Sequence, residues 1–431
     1  MRLISVERDG YRVAAKAVTR TNLQDNPKVE AIVRDIIADV KERGDVALLE
    51  LSRKFDAPEL TTLEVSRESI ENAVHEVPAD LKSALDLAAA NIRRFHESQK
   101  RASWIDAQPG HLSGQMIRPL NRVGVYAPGG TATYFSTVLM AALPAYVAGV
   151  PEIILTTPAM RDGTVSPAVR YAAKLAGVGR IFTVGGAQAV AALAFGTQTI
   201  PAVDKVVGPG NSYVNVAKKL LWGVVDIDML AGPSEVCVVA DEGANPIFAA
   251  MDLLTQAEHD TEAAAFLITP SETMAKAVLA EISRQLEILP RADILRKSLE
   301  ENSAVVVCRN LLEAYALANV CAPEHLALMV RDPFAAMGHI TNAGAILLGD
   351  YTPQTLGDYL AGPSHTLPTS GTARFTSPLH LDTFLKKTNF IYYTKDALAP
   401  LIPALETASR AEGFDAHAEA ALARLNPPQK F

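Results

Sequence analysis

The chain has 431 residues, 49% of them apolar, with 40 Lys plus Arg against 48 Asp plus Glu, a formal charge of −8. That length suggests two to four domains and a core large enough to fold without a disulfide or a metal. A negative charge with no Lys/Arg-rich run argues against nucleic acid as a main partner, and three cysteines without a CxxC pair exclude a disulfide scaffold and a Cys-rich zinc site.

Taken in chain order, residues 1–24 are polar and aperiodic and read as an N-terminal arm. Asn26 followed by Pro27 is a helix start. Val29, Ile32, Val33, Ile36, Ile37 and Val40 then mark one face of an amphipathic helix, and Leu81, Leu85, Ala88, Ile92 and Phe95 mark another. From Val123 the texture changes to β-branched runs, glycine turns and Ala-rich helices. Strands are predicted over 123–126, 153–155, 181–184 and 203–207, with helices over 138–148, 187–195 and 211–221. The pattern restarts with strands over 236–240, 266–268, 305–307, 326–330 and 345–348, and helices over 247–258 and 275–286. Beyond His380 the chain reads as helical and Ala-rich.

Strand, glycine turn and helix in repetition indicate βαβ units with parallel sheets. The expectation is an α/β protein with two incomplete Rossmann-like parallel-sheet domains, an N-terminal arm and a helical C-terminal tail domain. The division expected is 1–24 as the arm, 25–125 plus 236–378 as a larger α/β domain, 126–235 as a second, and 379–431 as the tail. The apolar window 138–155 is broken by Pro144, Gly149, Pro151 and Glu152, so no membrane span is expected. The N-terminus lacks a signal-peptide apolar stretch. Cys237, Cys308 and Cys321 sit in apolar runs and read as buried, reduced thiols in a cytoplasmic protein.

No GxGxxG fingerprint follows a strand. Three glycine turns nevertheless do: Pro128-Gly129-Gly130, Gly185-Gly186 and Gly208-Pro209-Gly210-Asn211. Each offers backbone N–H groups at a strand end, as an ordinary βα turn or as part of a nucleotide site. Gln256 and His259, spaced i and i+3, share a helical face and are a capping pair or two ligands of one divalent ion. Glu324-His325 juxtaposes the two commonest proton-transfer groups, or is a solvated pair at a strand start. Asp358 lies beside glycine and suits a turn or a ligand. Glu412 and His417 lie five apart near the C-terminus. Spacing alone does not show that these residues meet.

Together these stretches resemble the histidinol dehydrogenase family. The match spans about residues 25–420, through 122–132, 185–192, 203–211, 228–235, 256–260, 322–326, 357–375 and 412–417 in the same order. Departures are confined to 133–135 and 376–380. The resemblance implies one zinc ion per subunit held by Gln256, His259 and Asp358 of one subunit and His417 from the partner's tail. It implies Glu324 and His325 as the acid/base pair, and Tyr126, Gln188 and Asn211 as NAD contacts. Substrate contacts are implied at Ser234, Gln256, His259, His325, Asp358, Glu412 and His417. His365 lies in a matching stretch and receives no role.

The activity implied is oxidation of L-histidinol to L-histidine by two NAD, in a homodimer with shared active sites and no nucleic-acid or membrane partner. Removing four electrons with a two-electron acceptor requires two NAD in succession. The alternative within the family is a zinc- and NAD-dependent dehydrogenase of another polyol or a sulfonated alcohol. Outside it, a zinc hydrolase or a non-catalytic binding protein is the competing reading.

Overall fold

A computed structural model describes residues 1–20, 26–129 and 133–425; Gly130, Thr131 and Ala132 of the first glycine-turn stretch lie outside the described residues. The chain divides into two units, residues 1–99 with 120–384, and residues 100–119 with 385–431.

The first unit contains two parallel sheets. In the smaller, five strands run in the order Arg180–Phe182, Glu152–Thr156, Arg122–Tyr126, Lys205–Val207, Asp226–Ile227. In the larger, six run in the order Arg2–Ser5, Ala304–Val307, Ala264–Thr269, Glu235–Ala240, His325–Met329, Ala345–Leu348. The α/β architecture with two parallel sheets is therefore as the sequence indicates. Both sheets are apolar on both faces, as crossover helices require. Cys237 and Val239 point into one helical layer of the larger sheet, and Val236 and Val238 into the other.

Three segments depart from the sequence reading. Residues 2–18 are not aperiodic. Arg2–Ser5 pairs in parallel with Ala304–Val307, and helix Tyr11–Val18 buries Ala14 and Val18. The strand is too short to show an alternation, so its ladder partner had to be seen. Helices between 27 and 97 pack on the smaller sheet: Val33, Val40 and Leu48 join Val190 and Leu193 in one core, and Leu85 and Ile92 join Val123 and Leu155 in the other. The expected division grouped residues 25–125 with the larger sheet instead. An amphipathic stripe does not state which sheet it covers. Asn26 caps as expected, its side chain accepting from Val29 N–H at 3.2 Å.

The second unit is a three-stranded antiparallel sheet, in the order Leu385–Tyr393, His111–Pro119, Trp104–Gln108, with helices Ile402–Ala411 and Asp415–Leu422. The tail is thus not helical throughout. Leu385–Tyr393 carries lysines and tyrosines on an exposed edge and lacks the apolar alternation that marks a half-buried strand. Among the described residues no helix is long and apolar enough to cross a membrane.

Candidate active site

In the larger sheet the strand order reverses direction between Glu235–Ala240 and His325–Met329. Ligands of α/β sheets usually bind at such a switch point, beyond the carboxyl ends of the strands. Here the polar cluster gathers at the opposite, amino ends, where Ser234, Glu235, Glu324 and His325 stand together; His325 pairs in register with Val236. Local backbone chemistry places them. Helix Leu311–Cys321 ends on Ala322 in the left-handed region, φ +47°. Pro323 then turns the chain, and its carbonyl accepts from Gly344 N–H at 2.8 Å. A Cβ on Gly344 would stand 2.5 Å from the Glu324 carbonyl, so the close approach requires glycine.

His325 is buried, with Nε2 3.3 Å from Asp358 Oδ1 and Nδ1 3.9 Å from Glu324 Oε2. Burial disfavours its cation, but the Asp358 hydrogen bond and the Glu324 charge outweigh burial and raise its pKa. Glu324 Oε2 accepts the Glu235 N–H at 2.9 Å. Burial pushes the Glu324 carboxyl up to about 7, against the pull of His325. Glu235 is likewise pushed to about 7, by burial and then by Glu324; its Oε1 accepts from Ser370 N–H at 2.7 Å.

Gln256 sits in the last turn of helix Pro246–Ala257, which Asn245 caps. His259 follows, its N–H donating to the Gln256 carbonyl at 3.2 Å. His259 is an exposed residue, yet the protein around its ring strips water and lowers its pKa, while Asp358 pulls the other way. Asp358 lies on helix Gln354–Tyr359. Burial raises its carboxyl, but His325, His365 and His259 together hold its pKa below the usual value. Gln256, His259 and Asp358 therefore form one neighbourhood with His325. They offer an imidazole nitrogen and two kinds of oxygen at the negative end of a helix dipole, a donor set suited to a borderline divalent ion such as zinc. Among the described residues no group of three or more His, Cys, Asp or Glu is placed to hold a metal.

Three members of the cluster were not singled out from the sequence, and a fourth received no role. His365 Nδ1 is 2.9 Å from the Asp358 carbonyl. Gln354, one turn before Asp358, donates to Gln256 Oε1. Asp252, one turn before Gln256, is buried and pushed to about 6 by that burial. Glu235 heads a strand of otherwise apolar residues. The i, i+4 spacing to Asp358 and Gln256 was the available signal for two of them.

In the smaller sheet, the turns after Tyr126 and Val207 flank the strand-order reversal at its carboxyl end. The buried Tyr126 hydroxyl accepts from Gly186 N–H at 3.2 Å, and burial raises its pKa to about 12. Gln188 is buried in the first turn of helix Gly186–Phe195. Asn211 caps helix Ser212–Leu221, its oxygen accepting from Tyr213 and Val214 N–H at 3.1 Å each. The Gly208 turn is clamped from beneath. Lys218 and Asp228, each side chain 1% exposed, form an ion pair. Asp228 Oδ2 accepts the Gly208 N–H at 2.8 Å, and Lys218 Nζ donates to the Gly208 carbonyl at 3.0 Å.

Ser234 is half-buried at the head of strand Glu235–Ala240. Glu412 and His417 belong to the second unit. Glu412 follows helix Ile402–Ala411 and His417 lies in the first turn of the next helix, its ring 5.1 Å from that of Phe414; both are exposed.

Comparison with known proteins is consistent across sequence and structure. A family model described as histidinol dehydrogenase matches residues 19–425. The histidinol dehydrogenase of Heliobacterium mobile is 49% identical over 404 residues, covering 93% of this chain and 95% of its own. That of Lactiplantibacillus plantarum is 50% identical over 409 residues, covering 95% of each. The crystal structure of histidinol dehydrogenase from Elizabethkingia anophelis superposes with a TM-score of 0.93 at 38% identity, covering 99% of this chain and 98% of that one. With the family model matching nearly end to end and relatives at half identity, the chain belongs to the histidinol dehydrogenase family of NAD-dependent oxidoreductases.

Proposed function

We propose that this chain catalyses the zinc-dependent, four-electron oxidation of L-histidinol to L-histidine through bound L-histidinaldehyde, using two NAD. On this reading it performs the last step of histidine biosynthesis in the cytoplasm, as a homodimer with shared active sites. The observation that carries the reading is the gathering of Glu324, His325, Asp358, Gln256 and His259 beside the amino ends of two interior strands of the larger sheet, with His325 3.3 Å from Asp358. Gln256, His259, Asp358 and the tail's His417 would hold a zinc ion, which would supply a template for orienting the substrate, and NAD would supply the hydride acceptor.

The chain's own groups move the protons. His325 accepts the alcohol proton: Nδ1 faces Glu324 Oε2 at 3.9 Å, and Asp358 makes the ring more basic. Glu324, near 7, is poised to exchange a proton at neutral pH and activates the water that adds to the aldehyde. Its Oε2 is anchored on the Glu235 N–H, which holds the carboxylate beside His325. Ser234 and Glu412 contact substrate, and a carboxylate at 412 suits a cationic amine. Tyr126, Gln188 and Asn211 receive the dinucleotide at the turns of the smaller sheet.

Counting NADH tests this reading. L-Histidinol should yield two NADH per molecule, the rate should vanish after dialysis against a chelator, and added zinc should restore it. One NADH per substrate, or indifference to the chelator, refutes it.

The thiols are outside this scheme. All three cysteines are free and buried, burial pushes Cys308 to about 11, and Cys321 is held well above its usual pKa by Cys237 and by burial. The thiolate is the nucleophile, so Cys237→Ala and Cys321→Ala should keep most activity. A loss of about four orders of magnitude in either, the scale of removing a nucleophile, would instead place a thioester in the aldehyde step.

A further inference from the structure

We propose that Lys218 and Asp228 are positioning residues for the dinucleotide, holding the Gly208 turn in the shape that presents Asn211. The inference rests on the reading above that the turns of the smaller sheet receive NAD. Both side chains are 1% exposed, so each acts only through the turn that it holds. The two ends of one ion pair take both backbone polar groups of Gly208. Asp228 Oδ2 accepts its N–H at 2.8 Å, and Lys218 Nζ donates to its carbonyl at 3.0 Å. The same lysine donates to Asp228 Oδ1, which also accepts the Met229 N–H at 2.7 Å.

Gly208 has φ +116°, and a Cβ there would collide with the Tyr126 carbonyl, so the turn is pressed onto the strand end that carries Tyr126. Three residues on, Asn211 caps helix Ser212–Leu221, so the seat of Gly208 sets where that cap stands. Asn215 holds the intervening Gly210, its Nδ2 donating to the Gly210 carbonyl at 3.2 Å and to the Ala231 carbonyl at 2.6 Å. The ion pair lies where water cannot replace a missing partner. With either charge removed, Gly208 keeps an unmet buried polar group and the other ion is buried alone. The turn then shifts toward solvent, and Asn211 shifts with it. An asparagine at 228 does not substitute. Three donors meet two carboxylate oxygens there, and an amide has only one oxygen.

The test is the KM for NAD at saturating L-histidinol, measured on the full, zinc-loaded chain. Lys218→Met and Asp228→Asn should each raise it about 10- to 100-fold, the scale of a misplaced binding group, while kcat at saturating NAD stays within about threefold of the parent. The pair acts as one unit, so the double variant should be no worse than the more impaired single variant. Leu85→Ala opens a cavity in the core on the opposite face of the smaller sheet from helix Ser212–Leu221. It costs stability without touching the turn, and should leave the KM for NAD at the parental value. A parental KM in either single variant, losses that multiply in the double variant, a kcat that falls as far as KM rises, or an equal rise in Leu85→Ala each overturn the proposal. If one single variant does not fold, the other decides alone: a rise of about tenfold supports the role and a parental KM overturns it. A parent chain that does not reduce NAD is a different result, and fails the dinucleotide reading itself.

Discussion

Glu324→Gln should lower aldehyde oxidation by about 100- to 10,000-fold, the range for removing a positioned general base, and should impair alcohol oxidation no more than that. The amide keeps an oxygen for the Glu235 N–H, which Glu324 now satisfies at 2.9 Å, so the strand end is not left with an orphaned donor. What it loses is a group able to take a proton from water. The pH dependence follows from burial, which raises the carboxyl to about 7. The base is the ionised form, present above that value and lost below it. In the parent, aldehyde oxidation should therefore fall about tenfold per pH unit on the acid side of about 7 and level off above it. His325, whose pKa is also raised, shapes the same acid limb in the alcohol step. Single-turnover kinetics with histidinol and with histidinal separate the two halves. An aldehyde rate unchanged by Glu324→Gln removes Glu324 from the water step.

The second large effect concerns assembly of the site. His259→Asn and His417→Asn should each be inactive and should each retain well under one zinc per chain after dialysis. His259 lies in the first unit with Gln256 and Asp358, whereas His417 lies exposed on the second. If the tail serves the partner, a one-to-one mixture of the two variants regains activity. Half of the dimers are then hybrids, each with one intact site of two, so about a quarter of the parental rate returns in a symmetric dimer. No recovery after demonstrated subunit exchange would falsify the shared site. Full zinc retention in either variant removes that residue from the ligand set.

Much of the fold was legible because local chemistry and tertiary outcome agree. The β-branched runs before Gly185 and Gly208 form the smaller sheet, and the apolar runs from 236 to 348 form the larger one, because both sheets are covered by helices on both faces. Where one face or edge is exposed the signal failed. Arg2–Ser5 is a four-residue edge strand, and Leu385–Tyr393 is an exposed one rich in lysine and tyrosine. Neither carries a core pattern, and only its ladder partner defines it.

The site divides in the same way. Glu324-His325 and Gln256 with His259 were candidates from residue type and spacing, because such groups are able to transfer protons or bind a metal, and the family resemblance gave them their expected roles. Gln354, Asp252 and Glu235 were not, since a glutamine or a carboxylate in isolation has no chemical address. They matter only through burial beside other polar groups, and burial is a property of packing.

The sequence by itself determined that this chain is an α/β protein whose three thiols lie in apolar runs, and which residue types are available for ligation and proton transfer. Only the tertiary structure decided that the cluster sits at the amino ends of the larger sheet's strands. It also decided that Glu324 is desolvated to about 7, and that Gln354 meets Gln256 across 98 residues of chain. Periodicity records which face of an element is buried. It does not record which distant side chains share that burial, and the pKa values follow from those neighbours.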